Sequence, residues 1–182
     1  SLGIMLDKAK GSGAYLTPYM GNINVRWGEF NQTDLKLMDI KPEQMERSLA
    51  RKGDVVVCEG GEPGRTAVWN NEQPVAIQKA LHRVRPFAEM NSNFIGYCLE
   101  LEFRGVSEHQ LFTGTTIKHL PKEKLKTLRI PKPPLQEQEK IVEILEEQLS
   151  RLNASLAVAE EIERKSSALR RSLLHAAFTG EL

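Results

Sequence analysis

Cysteines, aromatic residues and long apolar runs are all scarce in this chain of 182 residues. Its only cysteines, Cys58 and Cys98, stand far apart, with no Cys-x-x-Cys pair and no Cys/His cluster. That argues against a disulfide scaffold or a zinc site and fits a reducing, cytoplasmic setting. No run approaches the roughly 18 apolar residues of a membrane span, and no charged-then-apolar leader opens the sequence, so neither membrane insertion nor secretion is expected. Charge of one sign is also missing. Lys and Arg number 25 against 24 Asp and Glu, a net charge of +1, which argues against a histone-like or cationic membrane binder.

Catalytic signatures are likewise missing. His82, His109, His119 and His175 show no metal-ligand spacing, no Gly-x-Ser-x-Gly elbow occurs, and no methyltransferase cofactor signature is present. The glycine-rich stretch 60–66 departs from a phosphate loop, because Gly60 and Gly64 are four apart, Arg65 stands for Lys and no helix follows. A chain with no catalytic residues, no metal site and no cofactor of its own is therefore expected. At 40% hydrophobic and 27% charged residues it is expected to fold rather than remain disordered.

Two regions of different character remain. All nine prolines and twelve of the 13 glycines fall within residues 1–134. From Leu135 to Thr179 there is neither, and helix formers dominate. This predicts one long helix over 135–178, with Glu137 and Glu139 near its start, Arg170, Arg171 and His175 near its end, and Gly180 as cap. Its stripe reads Ile141, Leu145, Leu149, Leu152, Leu156, Ala159, Ile162, Ser166, Leu169, Leu173, a heptad seam with one three-residue irregularity after Ala159. Either the helix packs back along its own domain or it pairs with another long helix. No second long periodic segment exists in the chain, which favours a coiled coil with another copy or another protein through Leu145, Leu149, Leu152, Leu156, Ile162, Leu169 and Leu173.

Residues 1–134 read as a mixed α+β domain. Val55-Val56-Val57-Cys58 and Thr66-Ala67-Val68-Trp69 look like strands joined by a Pro-Gly turn at Pro63 and Gly64. Val75-Ala76-Ile77, Leu81 to Arg85 and Leu128-Arg129-Ile130 are further strand candidates. Asn91 to Asn93 offer an N-cap for a helix through about Phe103, with Phe94, Ile95, Cys98, Leu99 and Phe103 on one side. Pro121 is placed to open a short helix through Leu125.

Several segments carry side chains suited to DNA. The hairpin tip with Gly60, Gly61 and Arg65 is either a plain tight turn or a tip that approaches a groove. Thr113 to Leu120, containing Thr115, Thr116, Lys118 and His119, leads into Lys122, Lys124, Lys126, Arg129 and Lys132. These lysines form either the wet face of a strand or short helix or a set of phosphate contacts. Asn22, Asn24, Arg26 and Trp27, then Gln78, Lys79 and Arg83, add groups suited to base edges or backbone, although Trp27 suits a core equally well.

Taken together, the blocks 53–69 and 78–83, the stretch 113–120, and Ile130-Pro131-Lys132-Pro133-Pro134-Leu135-Gln136-Glu137-Gln138 before a long helix resemble the specificity subunits of type I restriction-modification systems over essentially the whole chain. The resemblance implies a non-catalytic subunit that binds double-stranded DNA and delivers methyltransferase and restriction subunits to a bipartite target. S-adenosylmethionine, ATP and magnesium are then expected in the partner subunits. DNA readout is placed, on the same grounds, at Arg26, Gly60, Gly61, Arg65, Gln78, Lys79, Thr115, Thr116, Lys118 and His119.

Typical members carry two recognition domains and two long helices, whereas this sequence has one of each: a recognition domain over 1–134 and a spacer helix over 135–182. It begins Ser1-Leu2-Gly3 without Met, so half of a cut subunit and a natural half-subunit that dimerises are both consistent with it. A coiled-coil scaffold whose head binds protein is the alternative. The overall +1 divides unevenly, with 19 basic and 15 acidic residues in 1–134 and 6 and 9 in 135–182. A moderately basic head is joined to an acidic rod, which removes the objection that global charge raises against DNA binding.

Overall fold

Strand β4, Val55–Cys58, explains the layering of the head, because it is buried on both faces. Its uninterrupted apolar run has no alternation for that reason. Val56 and Cys58 point into one cluster with Met20, Ile77 and Leu81, while Val55 and Val57 point into another with Ile95, Leu99 and Phe103. The computed structural model describes residues 1–5, 13–105, 111–114 and 116–180. These divide into two units, Ser1–Glu139 and Lys140–Leu182.

In the first unit, β4 sits between β5 (Thr66–Val68) and β7 (Leu81–Val84) in an antiparallel sheet. A second, four-stranded sheet contains β1 (Leu16–Met20), β2 (Lys36–Asp39), β3 (Leu49–Ala50) and β6 (Val75–Ile77) in the order β2-β1-β6-β3. β1 and β6 run parallel, with Tyr19 opposite Ala76 and Met20 opposite Ile77; the other pairs are antiparallel. Alternation along β6 sends Val75 and Ile77 into the cluster shared with β4, and Ala76 into a third with Tyr19, Met38 and Ile40. Two sheets thus enclose one core, and each carries a further core on its outer face.

Helix α1 (Pro42–Ser48) precedes β3; Met45 and Leu49 pack on the third cluster. Helix α2 (Ser92–Arg104) covers the three-stranded sheet, burying Phe94, Ile95, Leu99 and Phe103. As the sequence predicts, Asn91 caps it, its side-chain oxygen accepting from the Phe94 amide at 3.0 Å. Helix α3 (Lys122–Thr127) begins after Pro121. The expected strand at 128–130 does not form. Those residues belong to no strand, and Leu128 and Ile130 join Leu125 in packing against the second cluster. The α3 lysines, Lys122, Lys124 and Lys126, are exposed, as is Arg129.

Helix α4 runs Leu135–Thr179, matching the predicted long helix. At about 1.5 Å per residue it spans roughly 67 Å. Gly180 follows with a positive φ of 74°, the left-handed conformation that ends helices. Its first turn belongs to the first unit and is anchored there by Gln138, which is fully buried. Gln138 Nε2 donates to the Pro133 and Glu89 carbonyls at 2.8 and 3.1 Å, and Oε1 accepts from the Asn91 amide at 2.9 Å. In the second unit the seam side chains lie open. Leu145, Leu149, Leu152, Leu156, Ile162, Leu169 and Leu173 are 36–62% exposed.

Candidate nucleic-acid interface

The turn joining β4 and β5 is shaped by two glycines in the left-handed region, Gly61 and Gly64, with φ of 82° and 92°. A Cβ on Gly64 would lie 2.9 Å from Phe103 on α2, and one on Gly61 would lie 2.2 Å from the Asn22 amide nitrogen. The turn therefore seats directly on α2 and on the 3₁₀ turn Asn22–Asn24, and no larger residue fits without displacement. Asn22 Nδ2 donates to the Gly60 carbonyl at 3.1 Å, and its own carbonyl accepts from Arg65 Nη2 at 3.2 Å.

The segment 113–120 is fastened to the same turn. Thr113 and His119 exchange two backbone hydrogen bonds of 2.8 Å, and the Leu120 amide donates to the Glu59 carbonyl at 2.7 Å. His119 Nδ1 lies 3.3 Å from Glu59 Oε1. From beneath, the fully buried His82 on β7 places Nε2 2.7 Å from the Leu120 carbonyl. In the neutral ring with Nε2 as donor, Nδ1 is unprotonated, and that atom has no hydrogen-bond partner among the described residues. Burial lowers the His82 pKa from its ordinary value, opposed by the bond to Leu120 and by the charge of Glu59.

Between the turn, the 116–118 segment and the end of α2 lies an open groove of about 730 Å³. It is lined by Gly61, Glu62, Pro63 and Arg65 from the turn, by Thr116, Ile117 and Lys118, by Phe103 and Arg104 from α2, and by Trp27 and Phe112. The structure thus gathers Gly61, Arg65, Thr116 and Lys118 into one groove, while Gly60 and His119 pair with each other without lining it. Thr115 lies outside the described residues.

The predicted residues differ in what they offer. Thr116, Lys118 and His119 are exposed. Arg65 is only 8% exposed: its guanidinium is turned into the fold, with Nε 3.6 Å from Glu62 and Nη2 on the Asn22 carbonyl. Gly60 is buried too. Arg26 is exposed on a turn whose amide donates to the Glu29 carbonyl. Gln78 lines a separate concavity of about 440 Å³ with Tyr19, Asn22, Asn24 and Lys36, and Lys79 beside it is exposed. Of the secondary candidates, Asn24 is spent on its own turn, bonded to the Gly21 amide and the Asn31 carbonyl. Arg83 donates to the Leu49 carbonyl.

Arg104 was not singled out by the sequence, and Trp27 was left undecided between core and contact. The structure joins them, with the Arg104 guanidinium carbon 4.4 Å from the centroid of the Trp27 ring. Cys58, against the same turn, is buried, and burial pushes its thiol up to about 11, so it is not a reactive thiolate. Among the described residues no group of three or more His, Cys, Asp or Glu could hold a metal ion. Among them, too, no helix is long and apolar enough to cross a membrane.

With this geometry in hand, the comparisons with known proteins are specific. Residues 22–164 match the model of the type I restriction modification DNA specificity domain. The match takes in the residues that line the groove and most of α4. The chain belongs to that family. Among solved structures, it is similar to a chain from work on the structural basis of complex assembly and conformational transition of the type I R-M system, at 22% identity and a TM-score of 0.77, covering 100% of this chain and 43% of that one. It is also similar to the HsdS subunit from Thermoanaerobacter tengcongensis (20% identity, TM-score 0.60, 85% of this chain and 36% of that chain). The type I restriction-modification S subunit from M. genitalium matches at 25% identity and a TM-score of 0.50, over 91% of this chain and 40% of that chain. The α+β fold with a long C-terminal helix is therefore that of these subunits, and the chain spans less than half of each one's length.

Proposed function

We propose that this chain is the DNA target-recognition module of a type I restriction-modification specificity subunit. It binds double-stranded DNA sequence-specifically, carries out no catalysis itself, and positions methyltransferase and, through the complex, restriction subunits in the cytoplasm. S-adenosylmethionine, ATP and magnesium belong, on this reading, to those partners. The observation that carries it is the groove built from the β4–β5 turn, the 116–118 segment and the end of α2, lying inside the region that matches the specificity family. Cationic, hydroxyl and aromatic side chains meet there at an open surface, the combination that DNA recognition uses.

The α4 seam supports a second part of the proposal. A stripe of leucines left 36–62% exposed needs a second long helix to cover it. Two copies paired through α4 about a two-fold axis would read an inverted repeat interrupted by unread bases. The test is a footprint on random-sequence duplex DNA with the full chain and the matching methyltransferase subunits. Lys118→Ala is expected to weaken binding several-fold and to lower the salt slope by about one. Unchanged affinity in Lys118→Ala moves the DNA face away from this groove, and binding without steep salt dependence removes the DNA reading altogether.

A further inference from the structure

Arg104 ends α2 at the rim of the groove, with its side chain 55% exposed. Two contacts fix it. The Trp27 indole lies under the guanidinium, 4.4 Å from its carbon, and Glu100 Oε1, one helical turn back, lies 2.9 Å from Nε. The ring supports the guanidinium on one face, and the carboxylate holds its Nε corner. The two Nη groups take no partner among the described residues, so the opposite edge of the fork is presented ready-made.

That arrangement suits a neutral acceptor pair better than a phosphate. Glu100 compensates the Arg104 charge, and Glu62 does the same for Arg65 in the same groove. A phosphate gains most from an uncompensated cation and is served well by a lysine, which needs no fixed plane; the exposed Lys122 and Lys124 of α3 suit that role, whereas Lys126 pairs with Glu123. A planar, pre-aimed fork is useful where two acceptors must be met at once. On the major-groove edges of duplex DNA only guanine offers two, O6 and N7; adenine offers one acceptor and one donor, thymine one acceptor and cytosine a donor.

We propose that Arg104 is a specificity-determining residue that reads one guanine through its major-groove edge, aimed by Trp27 and Glu100 as positioning residues. This rests on the reading of the chain as a DNA-recognition module. The experiment selects bound sequences from a random duplex pool with the full chain and its methyltransferase subunits, at two salt concentrations. Arg104→Lys is expected to lose a preference for guanine of about 10- to 100-fold at one position, leaving other positions and the salt slope unchanged. Arg104→Gln, which offers one donor and one acceptor, is expected to shift that position toward adenine. Glu100→Ala is expected to weaken the same preference by a smaller factor with the thermal stability of the head retained.

Guanine preference undiminished in Arg104→Lys or Arg104→Gln overturns the assignment. So does a loss spread evenly over all sequences with the salt slope reduced by about one, which marks a phosphate contact. A wild-type complex that selects no sequence overturns the recognition reading itself, a result distinct from a wild-type preference that the Arg104 variants leave intact.

Discussion

Leu81 and Leu152 are the same side chain in opposite circumstances. Leu81, on β7, is fully buried among Met20, Val56 and Ile77, whereas Leu152, on α4, is 54% exposed. The head surrounds its apolar strands with surfaces from its own chain; β4 and β6 each serve two cores. The 140–182 unit has one helix and so no second surface of its own. Burial is therefore complete within the head, whereas the seam of the other unit stays open among the described residues, and stability should respond to mutation differently in each.

The sharpest way to break this contrast is to charge the seam. Leu152→Glu combined with Leu156→Glu is expected to abolish self-association at tens of micromolar, followed by sedimentation equilibrium, and to leave the thermal transition of the head unchanged. A wild-type chain that is strictly monomeric at that concentration removes the pairing through α4. The converse substitution acts on the head. Leu81→Ala deletes a fully buried side chain at the centre of three packed strands and is expected to cost about 2–5 kcal/mol, read as a lowered urea midpoint, while self-association through α4 persists in the chains that remain folded.

The smallest effect is one of pH. The folded-state pKa of His82 is lowered by burial, so the unfolded chain binds the proton more readily than the fold does. This contribution to stability is fully present above the unfolded value of about 6.5 and is lost as pH falls below it through the folded value. Urea unfolding at pH 7.5 and 5.5 should show the head less stable at the lower pH. His82→Gln should reduce that dependence. An equal loss in both proteins assigns the effect to other groups.

Local signals made much of the head legible. The strands at 55–58, 66–68, 75–77 and 81–84, the Asn91 cap and the 45-residue α4 are each encoded within a few neighbouring residues, by apolar runs, a capping side chain or the lack of Gly and Pro. The sheet that holds β1, β2 and β3 was not legible. β1 contains Pro18, β3 has two residues, and β1 pairs with β6 across more than fifty intervening positions. The segment 128–130 looked like a strand because packing on a core and pairing in a sheet select the same residues.

The candidate groove divides in the same way. That residues 60–65 and 113–119 are candidates was readable from glycine, threonine and lysine content, and the structure brings the two segments together at Gly60 and His119. Which cations face outward was not. Arg65 turns inward because the left-handed glycines Gly61 and Gly64 fold the turn onto Asn22 and Phe103, bringing its guanidinium to the Asn22 carbonyl. Arg104 is aimed by Trp27, a residue far earlier in the chain.

By itself, then, the sequence determined the long helix, its seam, the β4–β5 hairpin and the split of charge between head and rod, since each depends on spacing along the chain. Only the tertiary structure decided which guanidinium is spent inside the fold and which is presented at the groove, since side-chain direction there is set by packing between residues that the chain separates widely.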